Sequence, residues 1–168
     1  TWSLRLKTPE FTIEPFTEKH RDSALAIALD TGLSPWSLND YDAELRRSDS
    51  VMLAAVADGE TVGFIVGRRV PGMREAPDVE IYNIGVAPAF QRSGVGGGLM
   101  AEFLRRSVGA GVDQAWLEVR AANKSAILFY RSFGFRECAV RPKFYRNPAD
   151  DAVTMSLDLN NGDGVKFL

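Results

Sequence analysis

At 168 residues, 45% of them hydrophobic, the chain is long enough to bury one sizeable core. A net charge of −2 and an isoelectric point near 5.5 give no electrostatic basis for binding nucleic acid or a membrane surface. The single cysteine, Cys138, excludes an intramolecular disulfide, and no apolar run reaches transmembrane length.

One domain is expected over residues 1–159, with 160–168 a loose tail rich in turn-forming Asn-Gly and Asp-Gly pairs. The N-terminus lacks the charged-then-apolar layout of a signal peptide, so a cytoplasmic protein is expected. In chain order, Phe11 to Phe16 alternates apolar and polar residues as a strand does. Thr17 caps a helix carrying Ala24, Leu25, Ile27 and Ala28 and stopping near Gly32. His20, the only histidine, falls on its polar side and reads as a surface residue; with no cysteine pair there is no metal-ligand set. After the loop Leu33 to Trp36, Ser37 caps a second helix with Leu38, Tyr41 and Leu45 facing inward.

Val51–Ala57 and Thr61–Val70 form a hairpin turned at Asp58-Gly59-Glu60. A loop with Pro71, Gly72 and Pro77 leads to the strand Asp78–Val86, completing a meander. Gln114–Arg120 is a fifth strand; Asn123 caps a short helix closed by Gly134. Phe135–Val140 and Ala152–Leu159 read as the last two strands, with Arg141 to Asp151 a loop between them. Cys138 reads as a core thiol.

The chain is organised around Ile84 to Leu104. A strand leads past Pro88, Gln91, Arg92 and Ser93 into Gly94, Gly96, Gly97 and Gly98, and then Val95, Leu99, Met100, Phe103 and Leu104 recur at helical spacing. Glycines at a strand-to-helix junction let backbone approach a ligand, and the partnerless first N–H groups of the helix favour a phosphate. A Walker loop is excluded, since no lysine and hydroxyl pair follows the last glycine. Gly96, Gly98 and Ala101 spell a dinucleotide fingerprint, but seven residues separate Val86 from Gly94, where that motif follows its strand at once. The helix joins Val79–Val86 to Gln114–Arg120, so these two strands are expected to lie parallel.

Gln91-Arg92-Ser93-Gly94-Val95-Gly96 resembles the Q/R-x-x-G-x-G/A loop of the GCN5-related N-acetyltransferase (GNAT) family. Leu117-Glu118-Val119-Arg120-Ala121 with Asn123, Ala126-Ile127, Tyr130 and Gly134-Phe135 is similar to the members that acetylate an N-terminal alanine of a ribosomal protein. The segments Asn83 to Val86 and Pro35 to Ser37, and the arginine–tyrosine loop before Asp150, join the resemblance, which runs from Phe11 to Leu159. Phe144 stands where those members often have tyrosine, and Ser93 where they often have arginine.

The resemblance implies a single α/β domain whose mixed, mostly antiparallel sheet is flanked by helices, and whose fourth and fifth strands splay. It implies acetyl-CoA as co-substrate, held by Gln91, Arg92, Ser93, Gly94, Val95 and Gly96 together with Ile84, Val86, Asn123 and Tyr130. An acceptor amine, with a reference pKa of about 7.7–8.0, must lose a proton before attack. By resemblance Glu118 is the base and Tyr130 the general acid, with an N–H near Val86 as oxyanion donor. Glu80 is the rival base, and Glu118 is otherwise a strand-end carboxylate paired with Arg120. Trp36 and the Phe144–Tyr145 pair are candidate groove walls or hydrophobic staples, and Arg141 and Arg146 are candidates to meet an acidic partner. Expected partners are acetyl-CoA and a protein or peptide N-terminus, ribosomal proteins among them, in a monomer or weak dimer. A small amine, polyamine or lysine acceptor is the second enzyme reading. A non-catalytic acyl-CoA sensor is the rival of another class, though a sensor needs neither Glu118 nor Tyr130.

Overall fold

Strand follows strand through a seven-membered sheet whose order is β1-β2-β3-β4-β5-β7-β6 in the computed structural model, which describes residues 8–33 and 36–160. The strands are β1 (Thr12–Pro15), β2 (Ser50–Ala57), β3 (Glu60–Val70), β4 (Asp78–Val86), β5 (Gln114–Arg120), β6 (Arg136–Arg146) and β7 (Ala149–Asp158). The helices are α1 (Arg21–Asp30), α2 (Leu38–Leu45), α3 (Val95–Gly109) and α4 (Lys124–Ser132). Pro35, part of the expected interhelical loop, and the expected tail from residue 161 lie outside the described residues. Among the described residues no helix is long and apolar enough to cross a membrane.

Two compact units divide this chain: one runs to Val66 and resumes over Asn83–Glu102, and the other comprises Gly67–Tyr82 and everything from Phe103. In the first, β1 pairs antiparallel with β2 from Thr12↔Val56 to Pro15↔Leu53. Asp58 and Gly59 both take positive φ, which matches the right-handed twist of the β2–β3 hairpin. Helices α1 and α2 bury Ala24, Ile27, Ala28 and Tyr41 against Phe16, Met52, Ala54, Phe64 and Val66. Ser37 caps α2 as expected, accepting from the Asp40 N–H at 3.2 Å while Asp40 accepts from the Ser37 N–H at 2.7 Å. The first turn of α3 lies on β3: a Cβ at Gly63 would meet Leu99 Cδ1 and Val95 Cγ1, both at 3.0 Å.

His20 overturns its expectation. It is 1% exposed, because residues 18–20 form a 3-10 turn ahead of α1 and turn the ring inward. Its Nδ1 accepts the Thr17 N–H at 2.8 Å, so Nε2 carries the proton it donates to Glu14 Oε1, also at 2.8 Å.

In the second unit β4 and β5 are parallel, as expected, with Val79↔Ala115, Glu80↔Trp116 and Ile81↔Leu117 in register. Trp116 Nε1 donates to Asp78 Oδ2 at 3.0 Å and ties the two strands together. The β5–β7 ladder runs antiparallel from Gln114↔Asp158 to Arg120↔Ala152. Val79, Ile81, Ala115, Leu117, Val119, Val153, Met155 and Leu157 share the buried face, to which Phe103 and Leu104 of α3 add fully buried side chains.

The end of the chain differs from its expectation. The stretch read as a loop, Arg141 to Asp151, is mostly strand, since β6 continues to Arg146 and pairs with β7 as far as Arg146↔Ala149. Its three cations, Arg141, Lys143 and Arg146, with Pro142, gave it a loop-like composition. These residues suit an edge strand, and Pro142 sits in a register shift between Arg141 and Tyr145. For the same reason Cys138 is exposed on this edge rather than in the core; its Sγ lies 3.3 Å from Ser156 Oγ.

Candidate active site

In the first unit, β4 gives way to a short turn, Pro88–Phe90, and then to the glycine loop. Gln91 Nε2 donates to the Val86 carbonyl at 3.2 Å and ties the loop back to the strand end. The Ser93 hydroxyl donates to the Phe90 carbonyl, so its proton holds the turn. Arg92 and Gly94 both adopt left-handed φ, +60 and +90 degrees. The Gly98 N–H reaches the Gly94 carbonyl at 2.9 Å and opens the hydrogen-bond ladder of α3. By helix geometry the N–H groups of Val95, Gly96 and Gly97 then lie ahead of any intrahelical acceptor.

A Cβ built on Gly94 meets no atom within 4 Å, so the backbone there is open to a ligand. Val95 is fully buried and anchors the loop, leaving its amide as the part available to a phosphate. These features fit the pyrophosphate of acetyl-CoA. Gly98, by contrast, serves packing, because a Cβ there would lie 2.9 Å from Phe11 Cε2. Ile84 and Val86 are half-buried on β4, alternating with buried Asn83 and Gly85. Trp36 belongs to this unit too, packed as a staple against Tyr41 with ring centroids 5.3 Å apart.

Gly94→Val is expected to keep the fold, since no atom crowds the site, but a β-branched residue is strained at this φ and shifts the amides. Losing one charge-assisted hydrogen bond to phosphate weakens acetyl-CoA binding by about tenfold or more. Calorimetry returning wild-type affinity from a folded Gly94→Val variant would remove the loop from the site.

The second unit gathers Glu118, Tyr130, Arg141 and Tyr145. Glu118 stands on β5, 27% exposed, and its Oε1 meets Arg141 Nε of β6 at 3.2 Å. The pairing with Arg120, the alternative to a role as base, is not among the ion pairs of the described residues. Arg120 instead lies over the Tyr145 ring at 4.2 Å and donates to the Pro148 carbonyl at 2.7 Å, holding the tip of the β6–β7 hairpin. Tyr145 is half-buried; burial and then the Glu118 charge raise its phenol above the ordinary value, with Arg120 opposing.

Tyr130, on α4 among Phe129 and Phe135, is half-buried as well. Burial pushes its hydroxyl up to about 12, with Tyr145 a smaller contributor. Asn123 is exposed, and its Oδ1 caps α4 by accepting from the Ala126 N–H at 3.2 Å. Arg146 is exposed at the end of β6.

Glu80 is placed opposite Trp116, so it shares a sheet face with Trp116 and Glu118. It accepts from the Tyr82 hydroxyl at 3.0 Å, and that tyrosine was missed although two-residue spacing on a strand puts it on the same face. Arg120 was read only as an alternative partner of Glu118, because its contacts lie 27 and 28 residues away in sequence. Among the described residues no group of three or more His, Cys, Asp or Glu side chains is placed to hold a metal ion.

Residues 13–135 match the family model of the acetyltransferase (GNAT) family. The chain is 33% identical over 141 residues to N-alpha-acetyltransferase RimI of Mycobacterium tuberculosis, covering 84% of this chain and 87% of that one. It is 36% identical over 128 residues to the [ribosomal protein bS18]-alanine N-acetyltransferase of Escherichia coli K12, covering 75% and 82%. Its fold matches the crystal structure of the ribosomal-protein-S18-alanine N-acetyltransferase from Escherichia coli with a TM-score of 0.79 at 27% identity, covering 89% and 94% of the two chains.

Proposed function

The chain belongs to the acetyltransferase (GNAT) family, and from that premise we propose that it acetylates the α-amine of a protein N-terminal alanine, with ribosomal proteins as the acceptor class. It is an acetyl-CoA-dependent N-acetyltransferase. The observation that carries the choice of acceptor is the likeness, over 75% of this chain, to an enzyme named for alanine acetylation of a ribosomal protein.

Acetyl-CoA supplies the acetyl thioester. Glu118 removes a proton from the acceptor ammonium so that a lone pair is available for attack. The Val86 N–H polarises the thioester oxygen, and the amides of Gly94 to Gly96 hold the pyrophosphate. Gln91, Arg92 and Ser93 shape that loop, and the resemblance assigns Ile84 and Asn123 to acetyl-CoA.

Tyr130 is the donor toward the leaving sulfur. Its hydroxyl, at about 12, is fully protonated at pH 7. As the N–C bond forms and the C–S bond breaks, Tyr130 gives its proton to the departing sulfur and is reprotonated by the second amine proton, so CoA leaves as the thiol and the amide is neutral. Glu80, Arg141 and Tyr145 are assigned to the acceptor.

The test is CoA release with an alanine-led peptide against the same peptide carrying a blocked α-amine. Release is expected only with the free amine. Equal release from the blocked peptide would contradict the assignment.

A further inference from the structure

Arg120 engages one aromatic ring and two backbone carbonyls. Its guanidinium carbon stands 4.2 Å from the centre of the Tyr145 ring, Nη1 donates to the Pro148 carbonyl at 2.7 Å, and Nη2 donates to the Asn147 carbonyl at 3.4 Å. A planar guanidinium covers an aromatic face and forks to two oxygens at once, which the point charge of a lysine does not do. The chain just after β5 is tied to the same hairpin. The Ala121 N–H donates to the Asp151 carbonyl and the Ala122 N–H to Asp150 Oδ2, each at 3.0 Å.

The β6–β7 ladder alone holds Tyr145 weakly. Its register shifts between Arg141 and Tyr145, and Lys143 within the shift takes a φ of +54 degrees. Beyond the shift only Tyr145↔Asp150 and Arg146↔Ala149 precede the turn, and so short a stub of ladder at a hairpin tip opens readily. The placement of this ring bears on the site. Burial and then the Glu118 charge raise the Tyr145 phenol, and burial and then Tyr145 raise that of Tyr130. The ring thus stands within electrostatic reach of the proposed base and of the proposed proton donor.

Resting on the assignment of Tyr145 to the acceptor, we infer that Arg120 is a positioning residue for acceptor binding, acting through Tyr145. It clamps the ring from β5, the strand that carries Glu118, so the aromatic and the base keep one spacing. Without the guanidinium the hairpin tip loses two carbonyl contacts and the ring loses its cover. Glu118 and Tyr130 keep supports of their own, the β5–β7 ladder and the Asn123 cap of α4. The loss therefore falls on peptide binding rather than on the chemical step.

The experiment measures KM and kcat for an alanine-led peptide on wild type, Arg120→Gln, Tyr145→Leu and the double variant. Circular dichroism and acetyl-CoA affinity check that each is folded. Arg120→Gln is expected to raise the peptide KM about tenfold, as loss of a cation–π contact and its charge-assisted hydrogen bonds allows, with kcat within about threefold of wild type. Tyr145→Leu should raise KM by a similar factor. The double variant should exceed either single one by little, since both changes remove the same contact. If Arg120→Gln does not fold, Arg120→Lys takes its place, with an expected KM rise of at least about threefold. Wild-type peptide KM in the folded arginine variant, or a double variant whose KM rise is the product of the single ones, overturns the inference. An unchanged KM in Tyr145→Leu overturns the assignment of Tyr145 to the acceptor and the inference with it. Acetylation of spermidine or a lysine side chain in place of the peptide α-amine overturns the N-terminal reading as well.

Discussion

Glu118→Gln is expected to lower kcat at pH 7 by at least tenfold and toward the 10²–10⁴-fold range of general acid–base groups, about 3–5 kcal/mol of barrier. Glutamine keeps the shape of the side chain and an oxygen for Arg141 while removing the proton acceptor. Acetyl-CoA affinity should be little changed. The deficit should shrink as pH rises past about 8, where the amine is already neutral. Tyr130→Phe should show no such rescue. Because the Tyr130 hydroxyl stands at about 12, above the ordinary tyrosine value, it stays protonated through this range, and wild-type kcat should show no alkaline fall below about pH 10. Near wild-type kcat from Glu118→Gln, with chemistry rate-limiting, would move the base to Glu80.

Gly67→Ala is expected to destabilise the fold by about 1–3 kcal/mol, the usual cost of overpacking. A Cβ at Gly67 would stand 2.5 Å from the Glu80 carbonyl oxygen and 2.6 Å from Phe103 Cζ. The oxygen belongs to the backbone of β4, so the strand itself must shift. At about 2–4 °C per kcal/mol for a chain of this size, the melting temperature should fall by several degrees. Glu80 opposes Trp116 on the strand that carries Glu118, so the same change should also lower kcat. Unchanged melting would mean that β3 and β4 have room that these distances deny.

Local chemistry made much of the molecule readable. Val95, Leu99, Met100, Phe103 and Leu104, picked out by helical spacing, are all fully buried, and the Asp58-Gly59 turn has the positive φ values its residues favour. Asn123 and Ser37 cap the helices assigned to them. Readings failed where the partners of a polar side chain, rather than its type, decided the outcome. His20 is polar by sequence but buried, because Glu14 and the Thr17 backbone satisfy both ring nitrogens. Glu118 passes over Arg120, two residues away, for Arg141, because residues on one strand face compete with those brought in by neighbouring strands. β6 looked like a loop because its charges and proline are also what an exposed edge strand carries.

The central assignment is the acceptor atom. One reaction decides it: acetyl-CoA labelled in its acetyl carbons, an alanine-led peptide containing an internal lysine, and an equal concentration of spermidine, followed by mass-spectrometric mapping of the label. The label should appear on the alanine α-amine, with the lysine side chain unmodified and spermidine a minor product. Label mainly on the lysine or on spermidine would contradict the assignment.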